Sequence, residues 1–222
     1  MLWSDEGFLL SRNNYSENSI IIEVFTLNHG KYTGIVYGGS SSKQKRNFQI
    51  GNKMILNWKS KNENRNGYFT AELIDPIAPF FFDDKKRSAC ILAASSILKI
   101  LLPERQINKI IYKSFETFLE NLSDHKWIKL YILWELNLIK ELGFEINFLK
   151  DINIKKDKPI INFNNTTYQI PKIIYSNTIE NNSKTEVKEG LLFNKKLLME
   201  NFIEPNKIRL PLYRNLLESY FS

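Results

Sequence analysis

Hydrophobic and polar residues alternate along the first third of the chain, in short runs separated by turn residues. In the second run Ile20, Ile22 and Val24 fall on one face of an extended chain, and this two-residue period is typical of β-strands. The alternation predicts five strands, over residues 6–12, 19–26, 31–37, 51–59 and 67–74. Five short strands joined by turns predict a small antiparallel barrel, and the five-stranded barrel of this kind is the oligonucleotide-binding (OB) fold.

Beyond the predicted barrel, hydrophobic residues recur every three or four positions, which is the period of a helix. A first helix is predicted over residues 85–101, with an acidic pair at 83–84 placed where carboxylates stabilise a helix N-terminus. A second is predicted to begin at Pro103, because proline suits the first turn of a helix. A third is expected between Asp124 as its cap and Gly143 as its stop.

The last third of the chain has a weaker pattern. Residues 144–183 are rich in Asn, Lys and Ile and contain two short alternating stretches, which predict a small β-like insertion. Helical spacing returns near Leu191, and Pro211 opens a last helix. The sequence therefore predicts an α+β chain in two parts, an OB-fold barrel over residues 1–77 and an all-α helical domain over residues 78–222 that carries the insertion.

One segment accounts for the whole net charge of the chain. Residues 31–65 contain eight basic residues and one acid, a balance of +7 that equals the formal net charge of the 222 residues. The glycines, serines and lysines of residues 38–46 within it predict a flexible basic loop. We expect the basic residues to bind DNA phosphates, although a lysine-rich run is also typical of a solvated face. The eight residues are Lys31, Lys43, Lys45, Arg46, Lys53, Lys59, Lys61 and Arg65.

Aromatic rings are interleaved with these charges. Tyr37 and Trp58 are candidates for base stacking, because a groove for single-stranded nucleic acid combines cations with flat rings. Trp58 shares its strand face with Met54 and Leu56, which favours the barrel core as the place of its ring. The sequence leaves both readings of Trp58 open and favours the core.

Composition excludes several classes of protein. The single cysteine, Cys90, rules out an internal disulfide framework and a four-cysteine zinc site, and its apolar surroundings predict a thiol packed in the core. The N-terminal residues lack the pattern of a secretory signal, and the most apolar window, residues 89–102, is short and interrupted by Lys99. We therefore expect a cytoplasmic protein without a membrane partner.

No set of residues points to catalysis. His29 and His125 lie in polar turns without cysteine or carboxylate at metal-ligand spacing, and the chain has no phosphate-binding glycine loop. The side chains of the adjacent pair at 83–84 diverge on a helix, so a role at the helix start is favoured over an acid–base site. The residues predict a binding protein, not an enzyme, that needs no cofactor or metal.

Several short stretches follow one another in an order and spacing that a known family shares. They are residues 3–11, 19–30, 38–40 with the basic loop, 48–52, 101–105 and 134–144. Together they resemble the bacterial RecO family of DNA repair proteins, most closely its alphaproteobacterial branch, over about residues 1–145. Many members of that family carry a zinc-binding cysteine cluster, but residues 144–172 contain no cysteine, so the resemblance implies no zinc here.

The resemblance implies a recombination mediator. Such a protein binds single- and double-stranded DNA, anneals complementary strands, contacts the C-terminal tail of the single-strand-binding protein, joins RecR and helps to load RecA at the bacterial nucleoid. Two alternatives fit the residues as well. One is an OB-fold protein that binds RNA or takes part in translation, and the other is a protein–protein adapter whose lysines only keep it soluble.

Overall fold

The structure is a computed structural model that describes residues 2–60, 67–143, 159–163, 166–176 and 183–222. Contacts divide the chain into two compact units, which are Met1–Leu119 with Pro211–Leu217, and Glu120–Leu210 with Glu218–Ser222. The barrel and the first helices after it belong to the same unit. Residue 77 as a boundary between domains therefore stays a prediction.

Five strands close into a barrel in the order β1-β2-β3-β5-β4, which confirms the predicted architecture. Neighbouring strands are antiparallel except β3 and β5, which meet in a short parallel pairing. The strand β1 is longer than predicted, because its first half pairs with β4 and its second half with β2. The strands are β1 (Leu2–Ser16), β2 (Ser19–Thr26), β3 (Gly30–Tyr37), β4 (Lys53–Lys59) and β5 (Gly67–Asp75).

Inward-facing hydrophobic side chains fill the barrel. Trp58 is only 2% exposed and lies among these residues, as the strand pattern favoured. A Cβ atom on Gly34 or Gly67 would overlap the Trp58 ring, so these two paired glycines make room for it. Each fully buried aliphatic or phenylalanine side chain of this core contributes about 1.5–3 kcal/mol to folding.

The predicted flexible loop is wrong in part, because a short helix, α1 (Ser42–Asn47), lies between β3 and β4. Lys, Gln and Arg favour helices, and the Ser41 hydroxyl accepts a hydrogen bond from the Gln44 N–H at the first turn. Buried Phe48 anchors the end of the helix in the barrel core. The Arg12 guanidinium donates to the carbonyls of Lys45 and Phe48 at that end.

The first residues of the helices after the barrel are set by capping side chains and by contacts with residues distant in sequence. Their bounds are α2 (Lys85–Leu101), α3 (Lys109–Glu120), α4 (Trp127–Glu141), α5 (Lys172–Tyr175), α6 (Lys184–Leu198) and α7 (Leu212–Ser219). The helix α2 has the predicted limits, and the Asp84 carboxylate caps it by accepting hydrogen bonds from the N–H groups of Lys86 and Arg87. Cys90 is buried in α2, as predicted.

The predicted start of α3 at Pro103 is wrong. Arg105 has φ +60°, outside the helical region, and its N–H donates to the Lys31 carbonyl of β3 at 2.8 Å. This contact with a distant strand holds the segment out of a helix. The helix starts six residues later, where the Asn108 side chain accepts a hydrogen bond from the Ile111 N–H.

In the second unit, α4 ends near Gly143, whose φ of +103° fits the predicted stop. Asp124 does not cap α4, since its carboxylate accepts from the Lys126 N–H before the helix begins. Buried Asn194 of α6 donates to the Ile132 carbonyl and to buried Glu135 of α4, at 2.8 and 3.1 Å. These bonds join the two helices.

The expected insertion contains a two-stranded antiparallel hairpin, β6 (Ile160–Phe163) and β7 (Thr166–Gln169). Residues 144–158, 164–165 and 177–182 of the predicted insertion lie outside the described residues. The helix α6 begins seven residues before Leu191, because Ser183 and Glu186 form a capping box there. No helix in the part of the chain that the structure describes is long and apolar enough to cross a membrane.

Candidate nucleic-acid interface

Three predicted DNA-binding cations are exposed where β3 and β4 end and β5 begins. Lys45 and Arg46 lie on α1, and Lys59 is the last residue of β4. Among the described residues, none of the three has an ion-pair partner. Lys59 stands opposite Tyr68 in the β4–β5 pairing, so a cation and a ring are neighbours on the outer face. The chain therefore presents unpaired positive charge beside an exposed aromatic ring.

The other five predicted cations differ in their surroundings. Lys43 lies in α1, and its side chain is outside the described part of the structure, as are residues Lys61 and Arg65 altogether. Lys31 is 8% exposed, and its ammonium donates to the Lys99 carbonyl at 2.7 Å and pairs with Glu104 at 3.4 Å. Its charge is thus already engaged within the first unit.

Lys53 is engaged in the same way. Its ammonium lies 2.6 Å from Glu116 Oε1 and 3.1 Å from Glu6 Oε2, so it joins α3 to the barrel. Partial burial lowers the pKa of Lys53, but hydrogen bonds and attraction from Glu116 and Glu6 outweigh burial and raise its pKa overall. Lys31 and Lys53 therefore hold the fold together and are poorly placed to neutralise phosphates.

The exposed rings differ from the predicted pair. Trp58 lies in the barrel core and has no open ring face for a base. Tyr37 is 66% exposed and stacks on Tyr68, which is 41% exposed, with ring centroids 5.1 Å apart. A hydrogen bond with the Tyr68 hydroxyl raises the pKa of Tyr37, and the nearby Tyr15 hydroxyl adds to that rise. These tyrosines form an exposed aromatic platform.

Sequence reasoning missed Tyr68, although the signal was present. Along β5 the inward positions Gly67 and Phe69 are buried and the intervening Tyr68 points outward. Applied to this strand, the alternation that favoured a buried Trp58 would have selected Tyr68 as the exposed ring. Its proximity to Tyr37 depends on the β3–β5 pairing, which the sequence does not reveal.

His29 takes part in a packed cluster at the turn between β2 and β3. Its Nδ1 lies 2.8 Å from the Asp5 carboxylate, and its ring stacks on Trp3 with centroids 4.1 Å apart. Burial raises the pKa of Asp5, but hydrogen bonds from His29 and from the backbone and side chain of Asn28 lower it overall. Within the described residues, no three His, Cys, Asp or Glu side chains are arranged to bind a metal. The contacts of His29 are structural, because they join the turn between β2 and β3 to the strand β1.

The closed five-stranded barrel followed by helices defines an OB-fold protein with an attached helical part. The sequence of the chain matches two protein-family models. The family described as Recombination protein O N terminal matches residues 1–77, and the family described as Recombination protein O C terminal matches residues 83–192. The chain therefore belongs to the Recombination protein O family, which confirms the resemblance seen in its sequence.

Relatives support the same assignment. The chain is 34% identical over 152 residues to the DNA repair protein RecO of Wolbachia sp. subsp. Drosophila simulans, covering 68% of this chain and 62% of the relative. It is 33% identical over 147 residues to the DNA repair protein RecO of Roseobacter denitrificans, covering 66% of this chain and 61% of the relative. In both cases the match spans less than two thirds of the relative's length.

Proposed function

We propose that the chain is a DNA repair and recombination mediator that binds single- and double-stranded DNA and anneals complementary strands. The observation that carries this proposal is the combination of exposed Lys45 and Arg46 on α1 and exposed Lys59 on β4 with the Tyr37–Tyr68 platform, which Lys59 faces across the strand pair. Cations bind the phosphates of any strand, and rings stack on any base, so this surface suits binding without sequence preference. The chain acts in the cytoplasm, at the nucleoid.

Annealing follows from charge and needs no covalent step. Two complementary strands repel each other through their phosphates, and a protein surface that neutralises both reduces the barrier to pairing. Stacking on Tyr37 or Tyr68 holds bases of one strand apart from each other and open to the incoming strand. The proposed role is therefore that of a binding protein that uses no metal or cofactor.

Protein partners belong to the same proposal. The chain binds RecR, helps to load RecA indirectly and contacts the acidic, hydrophobic C-terminal tail of the single-strand-binding protein. A groove of about 600 Å³ between β7, α5 and α6 supports the last contact. Ile170 and Leu192 give it apolar walls, and Lys172 and Lys196 line it against one carboxylate, Glu189. Such a groove suits a peptide with both apolar and acidic side chains.

A strand-annealing assay tests the proposed function. Two labelled complementary oligonucleotides are mixed with the chain, either bare or coated with the single-strand-binding protein. We expect the unaltered chain to anneal both substrates faster than they anneal without protein. A chain carrying Lys45→Ala, Arg46→Ala and Lys59→Ala should give a smaller increase in rate. Absence of a DNA complex at low salt would contradict the proposal and favour the adapter. A strong preference for structured RNA over single-stranded DNA in competition would favour the RNA-binding alternative.

A further inference from the structure

A small cavity of about 210 Å³ lies between α1 and the strands β3 and β5. Buried Phe48 and Phe69 form its inner side, and the stacked Tyr37 and Tyr68 form a wall that faces solvent. Gln44 of α1 and Thr70 of β5 add an amide and a hydroxyl. The cavity therefore combines apolar and aromatic walls with a few polar groups, which is the usual make-up of a small-molecule site.

We propose that this cavity receives one unpaired nucleobase of a bound DNA strand, which makes it a base-binding pocket within the DNA-binding surface. The inference rests on the proposed function, because the strand must first be held by its phosphates. It adds a preference for strands whose bases are not paired. A duplex has its bases stacked inside the helix and must expose one before it can fill the pocket.

The size of the cavity favours a single base. Its volume of about 210 Å³ is smaller than the ~300 Å³ at which pockets for a whole drug-sized ligand usually begin. A cavity below that size suits one flat ring system better than a whole nucleotide, which also carries a sugar and a phosphate. The sugar and phosphate would then remain outside, in solvent.

The charges around the cavity match a nucleic-acid strand. Lys45 and Arg46 follow Gln44 on α1, and Lys59 is the cross-strand neighbour of Tyr68. Their exposed ammonium and guanidinium groups are available to the phosphates on either side of an inserted base. Charge therefore favours a polyanion with flat rings over an apolar peptide as the occupant.

The wall formed by α1 is held in place before any ligand binds. The Lys45 carbonyl near its C-terminus accepts hydrogen bonds from the Gln49 side chain at 2.7 Å and from Arg12 at 3.4 Å. Phe48, the residue after the helix, is buried in the barrel core. A pocket that is fixed in advance costs less entropy to fill than one that must be ordered on binding.

The test compares two single strands of equal length and charge. One is a thymidine oligonucleotide of ~10 nucleotides, a length within the range that one OB fold covers, and the other has the same backbone without bases. The full chain should bind the thymidine strand about tenfold more tightly, because stacking and enclosure act on the base alone. A chain carrying Thr70→Met should lose most of this preference. Thr70 lines the cavity, and the longer, flexible methionine side chain would fill it.

Asn57→Met is the matched control. Asn57 is exposed and stands opposite Thr70 on β4, but it does not line the cavity, so this variant should keep the tenfold preference. A third measurement uses the unaltered chain and a strand with 5-iodouracil, where photo-crosslinking should join the base to Tyr37 or Tyr68.

The outcomes separate this inference from the proposed function. Equal affinity of the unaltered chain for both strands, or crosslinks only to residues outside the cavity, would overturn the pocket and leave phosphate binding intact. Loss of preference in both methionine variants would also overturn it. If the unaltered chain bound neither strand at low salt, the proposed function would fail and the pocket with it.

Discussion

Tyr37 and Tyr68 stack with their ring centroids 5.1 Å apart, although they come from strands that meet over only two residue pairs. The parallel contact of β3 with β5 closes the barrel at Gly34–Gly67 and Ile35–Tyr68, so the stack forms where the barrel closes. Lys59 is the neighbour of Tyr68 on the opposite strand. Closing the barrel therefore also assembles the aromatic platform beside exposed positive charge.

Affinity for single-stranded DNA should fall steeply with salt. If the exposed cations Lys45, Arg46 and Lys59 each neutralise one phosphate, the slope of log affinity against log salt should be about −2 or steeper. Changing all three to Ala should flatten the slope and weaken binding at low salt. Fluorescence anisotropy over a salt series measures both effects.

The control for the salt experiment removes the same charge elsewhere. Lys85, Lys109 and Lys188 are exposed at the surface of other helices, and their joint change to Ala should leave the slope nearly unchanged. Equal losses in the two triple variants would mean that net charge, and not this surface, drives binding. A nearly flat salt dependence of the unaltered chain would contradict phosphate binding.

Removing each of the two rings predicted for base stacking should affect the free energy of unfolding very differently. Trp58→Ala removes a buried ring from the barrel core and should lower the free energy of unfolding by about 3–5 kcal/mol. Tyr37→Ala removes an exposed ring and its stacking on Tyr68, and should lower the free energy of unfolding by only about 0.5–1.5 kcal/mol while weakening DNA binding. Urea unfolding measures the first effect, and anisotropy measures the second. A stable Trp58→Ala variant would be inconsistent with this placement of the ring.

Lys53 should matter for stability more than for DNA. Lys53→Ala leaves Glu6 and Glu116 without their shared ammonium, and we expect the free energy of unfolding to fall by about 1–3 kcal/mol. Lys59→Ala is the matched control, since it removes an exposed lysine from the other end of the same strand. It should reduce DNA affinity and leave urea unfolding almost unchanged. The reverse pattern would refute the division of roles.

Stability should depend on pH through Asp5. Its hydrogen bonds lower its pKa in the folded state below the ordinary value of 3.8. The stabilisation is therefore fully present above that ordinary value and is lost as pH falls through the lower folded pKa. We expect the difference in unfolding free energy between the unaltered chain and Asp5→Asn to be largest near neutral pH. It should shrink below about pH 4, and a difference that persisted at pH 2 would count against Asp5.

Local patterns predicted much of the fold. The limits of β2 and α2 followed from alternation and from the acid at the start of α2, because each depends on residues close in sequence. The start of α3 could not be predicted in this way, since Pro103 is compatible with a helix by itself. The contact that prevents the helix joins Arg105 to Lys31, more than seventy positions earlier.

The candidate site was predicted only in part, for the same reason. In the sequence, Lys31, Lys53 and Lys59 are equivalent positive charges. In the folded chain, Lys31 and Lys53 contact carboxylates or carbonyls, and Lys59 contacts none within the described residues. The partners of Lys53 show the distance involved, since Glu116 is 63 residues away along the chain. Sequence can count cations, but their availability to a ligand is decided by tertiary contacts.

Because Lys53 is ion-paired and Lys59 is not, positive charge is distributed unevenly along β4. Near α3 the two carboxylates Glu6 and Glu116 balance Lys53 and Lys113, whereas Lys59, at the other end of β4, has no carboxylate partner among the described residues. Six steps of ~3.3 Å along β4 place Lys53 and Lys59 about 20 Å apart, which exceeds the screening length of ~8 Å at physiological salt. Under the proposed function, a DNA strand is therefore attracted more strongly to the Lys59 end of β4 than to the Lys53 end, and this difference orients the strand before contact.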